Sequence, residues 1–113
     1  MSTPAITILR GDNGVEIAVL YAHCDGYPSS YGKALRDFLL SPAAKNANGA
    51  ECLAASVVAH FKDGPYTYYL MPAGTRNANY TYDVNYDAGR IRLRVSVDEE
   101  VVFDGQPGEF AAL

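Results

Sequence analysis

The chain has 113 residues, 49% of them hydrophobic, and a formal net charge of −4 from 13 acidic and 9 basic side chains. This length allows one domain and one core, and the apolar content argues against a disordered chain. A small negative charge without a basic cluster argues against direct nucleic-acid binding, and no apolar run reaches the ~18 residues of a membrane span.

The first predicted element is a β-hairpin. Ala5 to Arg10 and Val15 to Cys24 are rich in Ile, Val, Leu and Tyr, which favour strands. Between them, Gly11 to Gly14 contains residue types that tolerate positive φ. After Glu16 the second strand is mostly apolar on both faces, which predicts a central strand covered on at least part of both sides.

Two helices are predicted next. Apolar residues at helical spacing indicate a helix that runs to about Leu40, with Ser29 or Ser30 as its N-cap. The stretch Pro42 to Gly49 has the composition of a linker. A second apolar stripe predicts a helix from Ala50 to Lys62, with Asn48 as its cap.

The last third of the chain has the composition of strands. Tyr66 to Met71 lies between prolines, which predicts a strand that is short or at an edge. Tyr80 to Tyr86 and Ile91 to Val97 alternate apolar and polar residues about the turn Asp87 to Arg90, as in a hairpin with one solvated face. The apolar run from Val101 to Phe103 indicates one more strand.

Together these elements predict a single α+β domain over residues 1–113, with an irregular tail at 104–113. The economical architecture is one antiparallel sheet of five to six strands, in the order ββααβββ(β), with two helices packed on one face. Within that sheet Asp83 is expected to pair across strands with Arg92 or Arg94.

The stretch from His23 to Pro28 follows a strand and precedes a helix, and it has two interpretations. In the structural one, Asp25-Gly26 forms a turn and Tyr27 packs against the helix. In the functional one, His23, Asp25 and Tyr27 form a polar cluster on an exposed loop, where binding residues are common, and Asp25 orients the imidazole.

Metal and catalytic motifs are missing from the sequence. Cys24, Cys52, His23, Asp25 and His60 show neither C-x-x-C nor H-x-x-x-H spacing, and no G-x-S-x-G or phosphate-loop pattern occurs. We therefore predict no catalytic residues, no metal and no cofactor. The two cysteines are expected to be reduced, buried thiols in a cytoplasmic protein.

Tyrosines and acidic residues give two further candidate surfaces. Tyr80 and Tyr82 belong to a series that either packs across strands or forms a patch for a protein partner. Asp98, Glu99 and Glu100 form either a solvated turn or a contact for a basic partner surface that normally holds nucleic acid.

The motif His23-x-Asp25-Gly26-Tyr27-Pro28 resembles a bend found in small proteins of bacteriophages and prophages. In those proteins a helix follows, then an aromatic strand ending in proline and a Y-x-Y strand. Tyr68 to Pro72 and Tyr80 to Tyr82 fit that order, whereas Cys24 stands where such proteins often carry tryptophan. The resemblance implies a phage origin and binding to host machinery such as CRISPR–Cas and other defence complexes.

The resulting expectation is a cytoplasmic protein-binding module that inhibits a host defence or nucleic-acid-processing complex by occupying its surface. One alternative is a small metal-dependent or acid–base enzyme built on His23 and Asp25. Another is a regulatory or structural homodimer that pairs through an edge strand. The predicted binding residues are His23, Asp25, Tyr27, Tyr80, Tyr82, Asp98, Glu99 and Glu100.

Overall fold

The computed structural model describes residues 3–62 and 67–111, and within them it has mixed α and β content. One six-stranded sheet and three α-helices form the described part of the chain. In chain order these are β1 (Ala5–Arg10), β2 (Glu16–Ala22), α1 (Lys33–Leu39), α2 (Pro42–Lys45), α3 (Ala50–Phe61), β3 (Tyr68–Met71), β4 (Tyr80–Asp87), β5 (Arg90–Val97) and β6 (Glu100–Gly105). None of the described helices is long and apolar enough to cross a membrane.

The sheet is mixed, so the prediction of a purely antiparallel sheet is wrong. Its strand order is β3-β2-β1-β4-β5-β6, and every neighbouring pair is antiparallel except β1 and β4. The parallel pair arises because residues 72–79 carry the chain from the edge strand β3 across β2 and β1. The predicted position of β3 at an edge is confirmed, although its predicted start at Tyr66 lies outside the described residues.

One face of the sheet packs on the helices and forms the main core. One cluster joins residues of the sheet and of the helices that are each at most 2% exposed. It includes Leu9 and Leu20 from the sheet and Leu35, Leu53 and Val57 from the helices. At roughly 25 cal/mol per Å² of apolar surface removed from water, this layer is the main source of stability. The helices pack on one face as predicted, but there are three α-helices instead of two, so the predicted order ββααβββ(β) is wrong.

The opposite face carries a second, smaller apolar cluster. Ile6, Ile8 and Val19 are at most 1% exposed there, and Met71 and Ala78 pack against them. Ala78 belongs to the crossing segment 72–79, which therefore shields this face from water. The prediction that β2 is covered on both sides is confirmed.

Helix starts differ from the prediction. The first helical stretch opens with a π-helical turn, Pro28–Gly32, whose cap residue Tyr27 makes no side-chain capping bond, so neither Ser29 nor Ser30 is the cap. At the start of α3 the cap position is held by Gly49 instead of Asn48.

The predicted linker Pro42 to Gly49 contains α2. The hydroxyl oxygen of Ser41 accepts a hydrogen bond from the backbone N–H of Ala44, which satisfies a donor in the first turn. Pro42 stands at the first helical position, where its missing N–H costs nothing. Ser41 and Pro42 therefore begin a short helix inside the stretch predicted to be a linker.

The C-terminal residues are more ordered than predicted. Asp104 and Gly105 belong to β6, and Pro107–Glu109 forms a 3-10 turn. Phe110 is 6% exposed, with its ring centroid 5.1 Å from that of Phe103. The predicted irregular tail therefore has regular structure as far as Glu109, and Phe110 belongs to the core.

Asp83 does not pair with Arg92 or Arg94. It lies opposite Arg94 in the β4–β5 register, but its carboxylate accepts a 2.7 Å hydrogen bond from Arg10 Nε on β1. Arg92 and Arg94 instead contact Asp104 on β6. The expected pairing took account of β4 and β5 alone. In the sheet β4 also lies beside β1, and β5 also lies beside β6.

Candidate functional site

The bend between β2 and the helices lies at one end of the sheet. The backbone N–H of His23 donates to the carbonyl oxygen of Thr67 at 2.8 Å, which holds the start of the bend beside β3. Asp25 has a φ of +57°, a left-handed conformation that aspartate tolerates better than most residues. The chain turns here from β2 toward β4.

Gly26 is fixed by close contacts on both sides. Its N–H donates to the carbonyl oxygen of Thr3 at 2.7 Å, and its own carbonyl accepts from the Tyr82 hydroxyl at 2.7 Å. A Cβ atom at this position would lie 2.7 Å from the Cβ of Ala5 and 2.8 Å from the Thr3 oxygen. Only glycine fits this approach without a shift of the backbone.

Tyr82 is therefore a structural residue, and its expected place on a binding surface is corrected. Its side chain is 0% exposed, because it points from β4 into the helix-side core beneath the bend. Burial raises the pKa of Tyr82 far above the usual range, so its hydroxyl remains a hydrogen-bond donor at any physiological pH.

Tyr31 joins Tyr82 in an aromatic cluster that supports the bend. Its ring centroid lies 5.3 Å from that of Tyr82 and 5.0 Å from that of Phe61. The Tyr31 hydroxyl shares a hydrogen bond with that of Thr7, and burial raises its pKa far above the usual range. Tyr31 lies at helical spacing with Leu35 and Phe38, a pattern visible in the sequence, but no sequence signal indicates its bond with Thr7.

His23 and Asp25 are both exposed, and within residues 3–62 and 67–111 no hydrogen bond joins their side chains. The imidazole Nδ1 lies instead 3.4 Å from the Tyr21 hydroxyl. Asp25 lies near Tyr68, whose pKa is raised by burial and also by the Asp25 charge. The geometry gives no support to an imidazole oriented by Asp25.

Tyr27 forms a partly exposed aromatic contact at the same end of the sheet. Its side chain is 45% exposed, and its hydroxyl accepts a 2.8 Å hydrogen bond from the Thr3 hydroxyl. Its ring meets that of Tyr80 edge to face at a centroid distance of 5.8 Å. Tyr80 is half-buried beneath it, so Tyr27 presents the aromatic surface and Tyr80 supports it.

The acidic turn between β5 and β6 lies at this end as well. Asp98 and Glu99 have φ of +50° and +70°, and the Asp98 N–H donates to the Asn79 carbonyl at 2.8 Å. Both residues and Glu100 are exposed. Ala5 pairs with both Ala22 and Tyr80, and Tyr80 pairs with Val97, so the turn lies at the end of the sheet that the bend occupies.

We use the name acidic end of the sheet for six exposed residues, His23, Asp25, Tyr27, Asp98, Glu99 and Glu100. From β2 to the β5–β6 turn they extend over about 15–20 Å, judged from a strand spacing of ~4.8 Å. Four carboxylates and one tyrosine on rigid strand ends are suited to recognising a cationic surface, and they include no nucleophile activated by a base.

Cys24 lies in the bend between His23 and Asp25, whereas Cys52 and His60 belong to α3. Cys24 and Cys52 are free and exposed, which corrects the expectation that they are buried. His60 stacks on Phe38 at a centroid distance of 4.4 Å. Among the described residues no group of three or more His, Cys, Asp or Glu side chains is close enough to hold a metal ion.

Comparison of the chain with protein-family models, with curated proteins and with solved structures finds no match. The class of protein that the fold and the site define is therefore an α+β domain with an acidic, partly aromatic surface at one end of its sheet.

Proposed function

We propose that the chain is a protein-binding module whose acidic end docks on a basic surface of a host protein complex. The observation that carries this proposal is that Asp25 and Tyr27 lie at the same end of the sheet as Asp98, Glu99 and Glu100. These residues are far apart in the sequence, and the fold gathers them. Opposite charge across an interface speeds encounter and selects the partner.

The chemistry of the partner follows from the charges. A cluster of carboxylates with one exposed aromatic ring matches a lysine- and arginine-rich groove, the kind of surface that normally binds phosphates. The module would act in the cytoplasm by occupying that groove and excluding nucleic acid. It does not itself bind nucleic acid in this proposal, since the acidic end would repel phosphates.

The resemblance of the bend to that of small phage proteins narrows the proposal further. An acidic phage protein that occupies a nucleic-acid groove would inhibit a host defence complex of the CRISPR–Cas type. This part of the proposal rests on the motif His23-x-Asp25-Gly26-Tyr27-Pro28, and the surface-binding part rests on the geometry.

The experiment measures binding of the purified protein to purified nucleic-acid-handling defence complexes by titration calorimetry, with and without their guide or target nucleic acid. The test variant is Asp98→Asn with Glu100→Gln, which removes two charges and keeps at position 98 a side chain that tolerates positive φ. We expect binding that weakens at least tenfold in the variant, weakens in high salt, and competes with nucleic acid.

The matched control is Asp12→Asn with Asp87→Asn. Both residues are exposed at the opposite end of the sheet, so the control makes the same change in net charge away from the acidic end. Equal weakening by the two double variants would contradict the proposal, because it would reflect net charge alone. Binding that nucleic acid does not displace would contradict the occlusion mechanism.

A further inference from the structure

The edge strand β3 leaves backbone groups facing outward. In an antiparallel pair, alternate residues direct both N–H and C=O to the partner strand. Thr67 accepts a hydrogen bond from His23, so Tyr69 and Met71 also face β2, whereas Tyr68 and Leu70 direct their backbone groups away from the sheet. An outward edge of this kind is a template for another strand.

Next to this edge the surface is apolar. Leu70 lies opposite Leu20 and therefore on the helix side of the sheet, and its side chain is 64% exposed. A groove runs between Leu70 and α3, lined by Ile17, Val58 and several alanines. An exposed leucine beside an apolar groove is a surface that a second copy can cover, since a two-fold axis at Leu70 brings the same apolar patch of each copy together.

Opposite charges lie at the two ends of the groove. Glu51 is in the first turn of α3 and Lys62 directly follows its last residue, about 16 Å farther along the helix. The Lys62 ammonium donates to the Tyr68 carbonyl at 2.8 Å, which places the basic end at the start of β3. A second copy rotated by 180° about Leu70 brings its own Lys62 toward the Glu51 end.

This two-fold rotation is also compatible with the backbone hydrogen bonds of two paired β3 strands. With Leu70 opposite its own copy, Tyr68 lies opposite Pro72, which has no N–H to donate to the Tyr68 carbonyl. Lys62 already donates to that carbonyl. The one acceptor that a paired strand would leave unsatisfied is therefore satisfied within each copy.

We propose that the chain forms a two-fold dimer in which the β3 strands of two copies pair antiparallel about Leu70. The two sheets become one, the leucines lie side by side over both grooves, and Glu51 of each copy faces Lys62 of the other. The proposal is independent of the acidic end. A dimer of this kind places the two acidic ends at opposite extremes of a continuous sheet.

The first experiment is light scattering and sedimentation from about 10 μM to about 1 mM, a range suited to a small interface. We expect the mass to rise with concentration toward twice 12.2 kDa. Leu70→Lys should raise the dissociation constant at least tenfold, while Val101→Lys leaves it unchanged. Val101 is the matched control, because it is 52% exposed on β6, the other edge strand.

A monomer at every concentration would overturn the proposal and leave the β3 edge to a strand from a different protein. A dimer that Val101→Lys dissociates and Leu70→Lys does not would overturn it in favour of pairing through β6. Circular dichroism and thermal melting of both variants confirm that each is folded.

Charge exchange tests whether the occupant is a second copy. Glu51→Lys alone and Lys62→Glu alone each place like charges opposite each other in the dimer and should be largely monomeric. In an equimolar mixture of the two variants both contacts become attractive, so a heterodimer should form. A mixture no more associated than its components would overturn the proposed two-fold arrangement.

Discussion

The hydroxyl of Tyr82 on β4 donates a 2.7 Å hydrogen bond to the carbonyl oxygen of Gly26 in the bend after β2. Fifty-six positions separate the two residues in the sequence. Both are buried, so the bond closes the helix-side core and fixes the bend above β4. Tyr27, at the acidic end, is the next residue along the chain.

Tyr82→Phe is expected to lower the free energy of unfolding by about 1–3 kcal/mol, because it leaves the buried Gly26 carbonyl without a partner. Urea denaturation measures the change. Tyr86→Phe is the matched control, since its hydroxyl donates a longer bond of 3.3 Å to Ala47 at a half-buried site. A loss no greater for Tyr82→Phe than for Tyr86→Phe would contradict the structural role given to the bond.

Gly26→Ala tests the close approach of the bend to the N-terminal strand. The added methyl group would lie 2.7 Å from the Cβ of Ala5, so the backbone must shift, at an expected cost of about 1–3 kcal/mol. Gly108→Ala serves as the control because its nearest contact is an ordinary 3.7 Å to Leu40. Thermal melting should separate the two variants by several degrees, and equal melting temperatures would show that the bend tolerates a side chain.

Local patterns in the sequence were sufficient to predict most elements. The strand from Ala5 to Arg10 has its predicted bounds, and the Tyr80–Asp87 and Arg90–Val97 hairpin differs from the prediction by one residue on each strand. Both patterns depend on neighbours in sequence, namely alternation and turn residues. The same patterns predicted that β3 lies at an edge and that the helices pack on one face, but they did not predict the strand order of the sheet.

The parallel pairing of β1 with β4 could not be predicted in this way, because it depends on the path of residues 72–79 across two strands. The place of Tyr82 depends on the same arrangement. The alternation of apolar and polar residues places Tyr82 on the apolar face of β4. It is buried because the bend lies above that face. The acidic turn was predicted locally, and its position at the same end of the sheet as Tyr27 follows from the strand order and register.

Asp83 and Asp104 offer a comparison of two ion pairs that differ in exposure. Asp83 is 12% exposed in its pair with Arg10, whereas Asp104 is 32% exposed beside the more exposed Arg92. Asp83→Asn should cost about 1–3 kcal/mol of unfolding free energy and Asp104→Asn less than about 1. Urea denaturation at low and high salt checks both values. The ranking is wrong if Asp104→Asn costs more, or if salt affects Asp83→Asn more strongly.

Glu16 links β2 to the crossing segment, and its contribution should depend on pH. The carboxylate accepts a 2.6 Å hydrogen bond from Arg76 and a 2.9 Å bond from the Gly74 N–H, and these bonds lower its pKa below the ordinary 4.5. The folded state therefore binds this proton less readily than the unfolded state. The stabilisation from Glu16 is fully present above pH 4.5 and is lost as the pH falls through the lower folded pKa.

Glu16→Gln should lower the free energy of unfolding by about 1–2 kcal/mol at pH 7, where a charged acceptor is replaced by a neutral one. Urea denaturation of both proteins from pH 7 to pH 3 should show the difference between them narrowing below pH 4.5. Arg76→Ala removes the principal cause of the shift, so in that background the same substitution should cost less and depend less on pH. A difference that stays constant or widens on acidification would show that the ion pair does not stabilise the crossing segment.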